Sequence, residues 1–198
     1  MASVPHPRSP DLLSAAESLL LMVDLQERLM PHVAGSDAVT ANCVRLVRGA
    51  ERVGVPITLT EQYPAGLGPT VADLAAREDD RPEFPSVTVE KLRFSGAEAI
   101  GWPAAGDRTD GRYQVVLAGV ETHICVLQTA FDLLSMGYRV WVAADATASR
   151  FTTDREVALS RLRDGGVSIT TVEAILFEWC EVAGTETFKA IRSLVTER

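Results

Sequence analysis

Three side chains in this sequence could together carry out acyl transfer: the thiol of Cys125, the carboxylate of Asp24 and the ammonium of Lys91. A thiolate attacks a carbonyl carbon, and a neighbouring ammonium favours its ionisation. A carboxylate can accept the thiol proton, pass it to a leaving amine and later activate water. Taken singly, each residue has a plainer reading. Cys125 could be a small buried apolar residue, Asp24 a turn residue and Lys91 a solvated surface lysine. Taken jointly, they make a site, provided that the chain brings them to one place.

The elements that must do so can be read around the cysteine. Val115–Ala118 is an apolar β-branched run with strand character, and Gly119 ends it. Thr122 is expected to cap a helix whose apolar positions Ile124, Leu127, Phe131 and Leu134 recur at helical spacing, with Gly137 closing it. Cys125 then falls in the first turn, where backbone N–H groups lack intrahelical partners and the dipole favours a thiolate. His123 stands two residues earlier; neighbours two apart on a helix point to different sides, so packing is expected of it rather than chemistry.

The rest of the chain alternates strand and helix. Strands are expected at Leu19–Val23, Pro56–Thr60, Val87–Val89, Val115–Ala118, Arg139–Ala143 and Ser168–Val172. Helices are expected at about Ser36–Val53, Val71–Ala76, Ala97–Ala104, Thr122–Gly137, Thr153–Arg163 (from capping-box spacing with Glu156), Ala174–Val182 and Thr185–Val195. Cys43 lies on the apolar stripe of the first helix and reads as core, and Asp145 is expected to order the turn after the fifth strand. Trp102, Trp141 and Trp179 read as core or interface, and Cys180 as structural. Such alternation predicts an α/β fold: a three-layer αβα sandwich with a six-stranded parallel sheet, Rossmann-like. Ligands bind such sheets at the carboxyl ends of the strands, near the reversal of strand order. Asp24, Lys91 and Cys125 follow strands one, three and four, which puts all three at that edge.

Four separated segments then resemble the isochorismatase-like cysteine hydrolases: LLMVDLQ with Asp24, TEQYPAGLGPT from Thr60, EKLRFS with Lys91, and GVETHICVLQTAFDLL with Cys125. ADATASR, Ala144–Arg150, is a fifth. The likeness runs from Leu19 to Leu194 and is nearest to the isochorismatase-domain proteins found from bacteria to animals. It implies an Asp24–Lys91–Cys125 triad, a covalent acyl-enzyme, a cis peptide between Val120 and Glu121, and an oxyanion site around Val120, Glu121 and Cys125. Gln62, Tyr63 and Phe94 follow strands two and three and are expected to line a substrate pocket. Nicotinamidase-type members carry an Asp and several His as a metal site, whereas Asp24–Lys91 here contains only His32, so neither metal nor other cofactor is expected. Members that hydrolyse isochorismate lack the cysteine that this chain has. An amidase-like hydrolase of small molecules follows, with a thiol-switch or interaction protein as the alternative.

Composition bounds these expectations. At 198 residues, with 46% hydrophobic and 23% charged residues, the chain fits one domain, taken as residues 11–198 behind a flexible arm of residues 1–10. A net charge of −8 argues against nucleic-acid partners and anionic membrane surfaces. Three widely spaced cysteines make no disulfide framework, and no apolar N-terminal core or membrane-spanning run is seen, so a reducing cytoplasm is expected. The likeness also implies a homo-oligomer.

Overall fold

In a computed structural model, described for residues 8–75 and 86–196, six strands form one fully parallel sheet. They are β1 (Ser18–Val23), β2 (Ile57–Gln62), β3 (Ser86–Lys91), β4 (Gln114–Val120), β5 (Arg139–Ala148) and β6 (Ser168–Thr170), in the order β3-β2-β1-β4-β5-β6. Strand order reverses between β1 and β4, which pair along their whole length from Ser18 opposite Gln114 to Val23 opposite Gly119. Helices α1 (Ser36–Val53), α2 (Pro64–Leu67), α3 (Ala72–Ala75), α4 (Leu127–Ser135), α5 (Thr152–Asp164), α6 (Val172–Cys180) and α7 (Glu186–Thr196) complete the chain. The expected six-stranded, doubly covered parallel sheet is the observed one.

Period-2 alternation, with a core on each face, explains why β1 and β4 are apolar beyond their first residues, Ser18 and Gln114. Leu20, Met22, Val116, Ala118 and Val120 enter one core with Cys43, Leu46, Ile175 and Trp179. Leu19, Leu21, Val23, Val115 and Leu117 enter the other with Val126, Leu133 and Leu162. Cys43 is wholly buried in the first core, where Trp141 and Trp179 are buried too, while Trp102 is half-buried against Tyr138. The sheet edge β3 is largely exposed until its last residue, Lys91, which is buried.

Several expectations need correction. Residues 97–104 form no helix: positive φ at Gly101 and the missing N–H of Pro103 interrupt it, leaving turns and a 3₁₀ turn at Ala105–Asp107. Strand β5 does not end near Asp145 but bulges and runs on to Ala148, Gly119 pairing with Thr147. Asp145 instead accepts the Val172 N–H at the start of α6, 2.8 Å, with its side chain. The N-cap of α5 is Phe151, with no capping side chain, so Thr153–Glu156 is no capping box. Of the expected arm, residues 1–7 lie outside the described residues; Arg8 donates to the Glu178 carbonyl and pairs with Glu181.

Candidate active site

β1 is followed at once by Asp24, held in left-handed backbone at φ 52°. Its N–H donates to the Thr60 carbonyl on β2, 3.1 Å. The Thr60 hydroxyl donates to Asp24 Oδ1 at 2.6 Å, which turns Oδ2 towards the ammonium of Lys91, 2.7 Å away. Lys91 in turn donates to Gln62 Oε1 at 2.7 Å and to the Phe94 carbonyl at 3.0 Å. Asp24 Oδ2 has the Lys91 ion pair but no well-angled hydrogen bond, so a lone pair remains for the thiol of Cys125, which interacts with both groups. The three residues are 0%, 4% and 6% exposed respectively, so the carboxylate, ammonium and thiol meet almost out of water.

That dryness decides the electrostatics. Burial raises the Asp24 carboxyl, and the opposing pulls of Lys91, Thr60 and Cys125 do not cancel it. Burial, then the adjacent Asp24 charge, pushes the Cys125 thiol up to about 12 against the pull of Lys91. Burial thus opposes the thiolate bias expected from the helix start and from Lys91. Asp24 is the carboxylate in contact with that thiol.

The turn that carries Cys125 also differs from expectation. Thr122–Val126 is a single π-helical turn ahead of α4, with Glu121 as N-cap. Thr122 is thus no cap. Its hydroxyl lies 3.0 Å from that of Thr147, whose own proton goes to the Gly119 carbonyl, so Thr122 is the donor between them. The wide turn also shifts the helical phase. Val126, Leu127, Ala130 and Leu133 are buried, whereas Ile124, Phe131 and Leu134 are only partly covered. The Val120–Glu121 peptide is cis, and the Glu121 carboxylate accepts the Arg150 N–H at 2.7 Å.

Gly119 brings strands and site together. At φ 114° it adopts backbone that L side chains rarely reach, and a Cβ there would lie 2.1 Å from the Val23 carbonyl oxygen. The ends of β1 and β4, which carry Asp24 and lead to Cys125, can approach this closely only with glycine at that position.

The three pocket expectations separate. The Gln62 amide is spent inside the site, accepting from Lys91 and donating to the Leu92 carbonyl at 2.9 Å. Tyr63 and Phe94 are exposed at the same sheet edge. A cavity of about 290 Å³ opens beside Lys91, lined also by Leu92, Arg93, Ser95 and Glu98. A larger cleft of about 1120 Å³, between α1 and the start of α3, touches none of the triad and lacks a comparable set of reacting groups. His123 faces Ser149, 2.9 Å from Nδ1 to the hydroxyl, and packs rather than joins the triad.

Thr60, Gln26 and Thr129 were not singled out from the sequence. Gln26, fully buried, accepts the Gln62 N–H at 2.7 Å and donates to the Gly68 carbonyl at 2.7 Å, fixing the loop behind Lys91. A polar residue inside a buried apolar context was the available signal for each. Among the described residues, no group of three or more His, Cys, Asp or Glu is placed to hold a metal ion. No helix among them is long and apolar enough to cross a membrane.

The family model of the isochorismatase domain matches residues 18–174, from β1 through all the residues of this site. The chain belongs to that family. It is 40% identical over 183 residues to isochorismatase domain-containing protein 2A of Mus musculus, covering 91% of this chain and 83% of that one. It is 38% identical to isochorismatase domain-containing protein 2 of Danio rerio, with 92% and 89% covered. The structure described as the MAR1 ribonuclease of Caenorhabditis elegans superposes with a TM-score of 0.81 at 31% identity, over 93% and 92% of the two chains. Membership puts the chain among isochorismatase-like hydrolases, on the sheet architecture described above.

Proposed function

We propose that this isochorismatase-family chain is a metal-independent cysteine hydrolase that cleaves the C–N bond of a small carboxamide or related carbonyl compound. The observation that carries the reading is the buried contact set in which Lys91 Nζ sits 2.7 Å from Asp24 Oδ2, with the Cys125 thiol against both. In the first half-reaction Asp24 takes the thiol proton as sulfur bonds to the carbonyl carbon. The tetrahedral oxyanion is stabilised by backbone N–H groups of the Val120–Cys125 turn. The C–N bond then breaks, the amine leaves with the proton from Asp24, and an acyl-Cys125 thioester remains. In the second, Asp24 deprotonates water, the hydroxide displaces the thiolate, and the released acid leaves a reprotonated Cys125. Lys91 balances the Asp24 charge throughout and fixes the orientation of its carboxylate.

The cavity of about 290 Å³ is lined by Lys91 but by neither Asp24 nor Cys125, so the reading rests on the contact set and not on that cavity. The reading includes a homo-oligomer working in a reducing cytoplasm, where its three cysteines stay free. A thiol switch is disfavoured because redox-sensing thiols are acidic and accessible, and Cys125 is neither. Likeness to a protein described as a ribonuclease sets RNA as a second substrate class. The net charge of −8 opposes it.

A panel of small carboxamides and one RNA oligomer, followed by amine release and intact mass, separates these. Expected are turnover of at least one amide and an acyl adduct lost in Cys125→Ala. Turnover of RNA alone transfers the activity to the second reading. No adduct from any amide, with ready mixed-disulfide formation at Cys125, removes the hydrolase reading.

A further inference from the structure

Lys91 ends β3, but its ammonium is aimed by the loop that follows. The Phe94 carbonyl accepts from Nζ at 3.0 Å, and the Arg93 carbonyl lies 3.4 Å away. Two residues on, the Gly96 N–H donates to the hydroxyl of Thr129 at 2.8 Å, a buried bond between groups 33 residues apart. Thr129 is fully buried on α4, one helical turn beyond Cys125 and on the same face. Gly96 itself packs against the site: a Cβ there would lie 3.4 Å from Thr60 Cγ2 and 3.8 Å from Lys91 Cδ.

We propose that Thr129 is a positioning residue, its hydroxyl fastening the loop that clamps Lys91 to the helix that carries Cys125. The ammonium, its carbonyl clamp and the nucleophile are thereby held in one register, although they come from opposite sides of the β2–β1 pair. Without the hydroxyl, the buried Gly96 N–H loses its acceptor and the loop relaxes outward, taking Lys91 away from the thiol. Thr129 touches no reacting atom and acts through Lys91. The role rests on the hydrolase reading for its catalytic consequence, but its geometric content can be measured without turnover.

The test is the pH profile of Cys125 alkylation by iodoacetamide, followed by intact mass in a Cys180→Ser background. Thr129→Val keeps the β-branched shape and removes the hydroxyl. Its profile is expected to move to higher pH by about one unit, a roughly ten-fold loss of reactive thiolate at a fixed pH. Thr129→Ser keeps the hydroxyl and should restore the parent profile. Where the valine variant does not fold, Thr129→Ala set against Thr129→Ser makes the same comparison, since both lack the methyl and differ in the hydroxyl. A profile unmoved in the hydroxyl-less variants, whatever their melting temperature, reduces Thr129 to a packing residue and overturns the proposal. A shifted profile in a protein that turns over no amide keeps Thr129 in its role and removes the hydrolase reading. Amide turnover with an unmoved profile does the reverse.

Discussion

At the scale of the residue, the site is a proton kept between two groups that burial makes reluctant to ionise. An unfolded cysteine ionises at about pH 8.5, whereas folded Cys125 is pushed up to about 12. The folded state therefore holds more protons within that window. The contribution to stability is complete below the unfolded value and is lost as pH rises towards the folded one. Urea midpoints taken at about pH 8 and about pH 10.5 should fall further for the wild type than for Cys125→Ser, which cannot titrate there; equal falls contradict the shift. Thr60→Val removes a hydrogen bond that lowers the Asp24 carboxyl. Its pKa should climb further, so the acid limb of the kcat profile is expected to move to higher pH, with an unmoved limb counting against Asp24 as the base. Lys91→Met leaves a buried carboxylate without its cation, at a cost of about 3–5 kcal/mol. The double variant Asp24→Asn with Lys91→Met should lose less than the two single losses combined, a coupling that denaturant melts in a double-mutant cycle can read.

At the scale of the element, Asp24 follows β1, Lys91 closes β3 and Cys125 lies in the turn after β4. β1 and β4 are buried on both faces, and the sheet leaves their carboxyl ends as the place where polar side chains are presented. Their approach is limited by a single residue. Gly119→Ala sets a methyl against the Val23 carbonyl oxygen and demands a rarely populated φ. It should cost about 3 kcal/mol or more, and amide turnover should fall with it in whatever fraction folds; a variant with wild-type melting and rate would show that the two strands have slack. The strands were legible from their apolar runs, but not all their ends were: β4 runs through Gly119 to Val120, and β5 runs on to Ala148. The π-helical turn at Thr122–Val126 was not legible either, because a 3.6-residue pattern has no mark for one inserted residue. The same blindness misplaced the buried stripe of α4 from Leu133 to Leu134.

At the scale of the whole molecule, a net charge of −8 and a buried ion pair at the site leave little to attract a polyanion. Binding of an RNA oligomer at physiological salt is expected to be weaker than about 0.1 mM, the soft end of non-specific affinity. Micromolar, salt-sensitive binding in a fluorescence anisotropy titration would point instead to a basic surface formed by assembly. The sheet order explains how groups so far apart in the chain converge: β1 and β4 flank the reversal, and β2 and β3 extend from β1, so Lys91 reaches inward across Gln62 and Thr60.

What the sequence alone determined is therefore local or compositional. Alternation of apolar runs with amphipathic segments specifies a parallel, doubly covered sheet, because only such a sheet buries β1 and β4 on both faces. The types Asp24, Lys91 and Cys125, each at or just past a strand end, specify which groups can react. Tertiary structure decided their protonation and their support. Desolvation depends on what surrounds a side chain in space, so burial pushes the Cys125 thiol up, against the pull that its helix start and Lys91 implied. Thr60, Gln62 and Thr129 acquired their roles from hydrogen bonds between segments 29 to 36 residues apart in the chain, and such pairings exist only once the sheet has closed the distance.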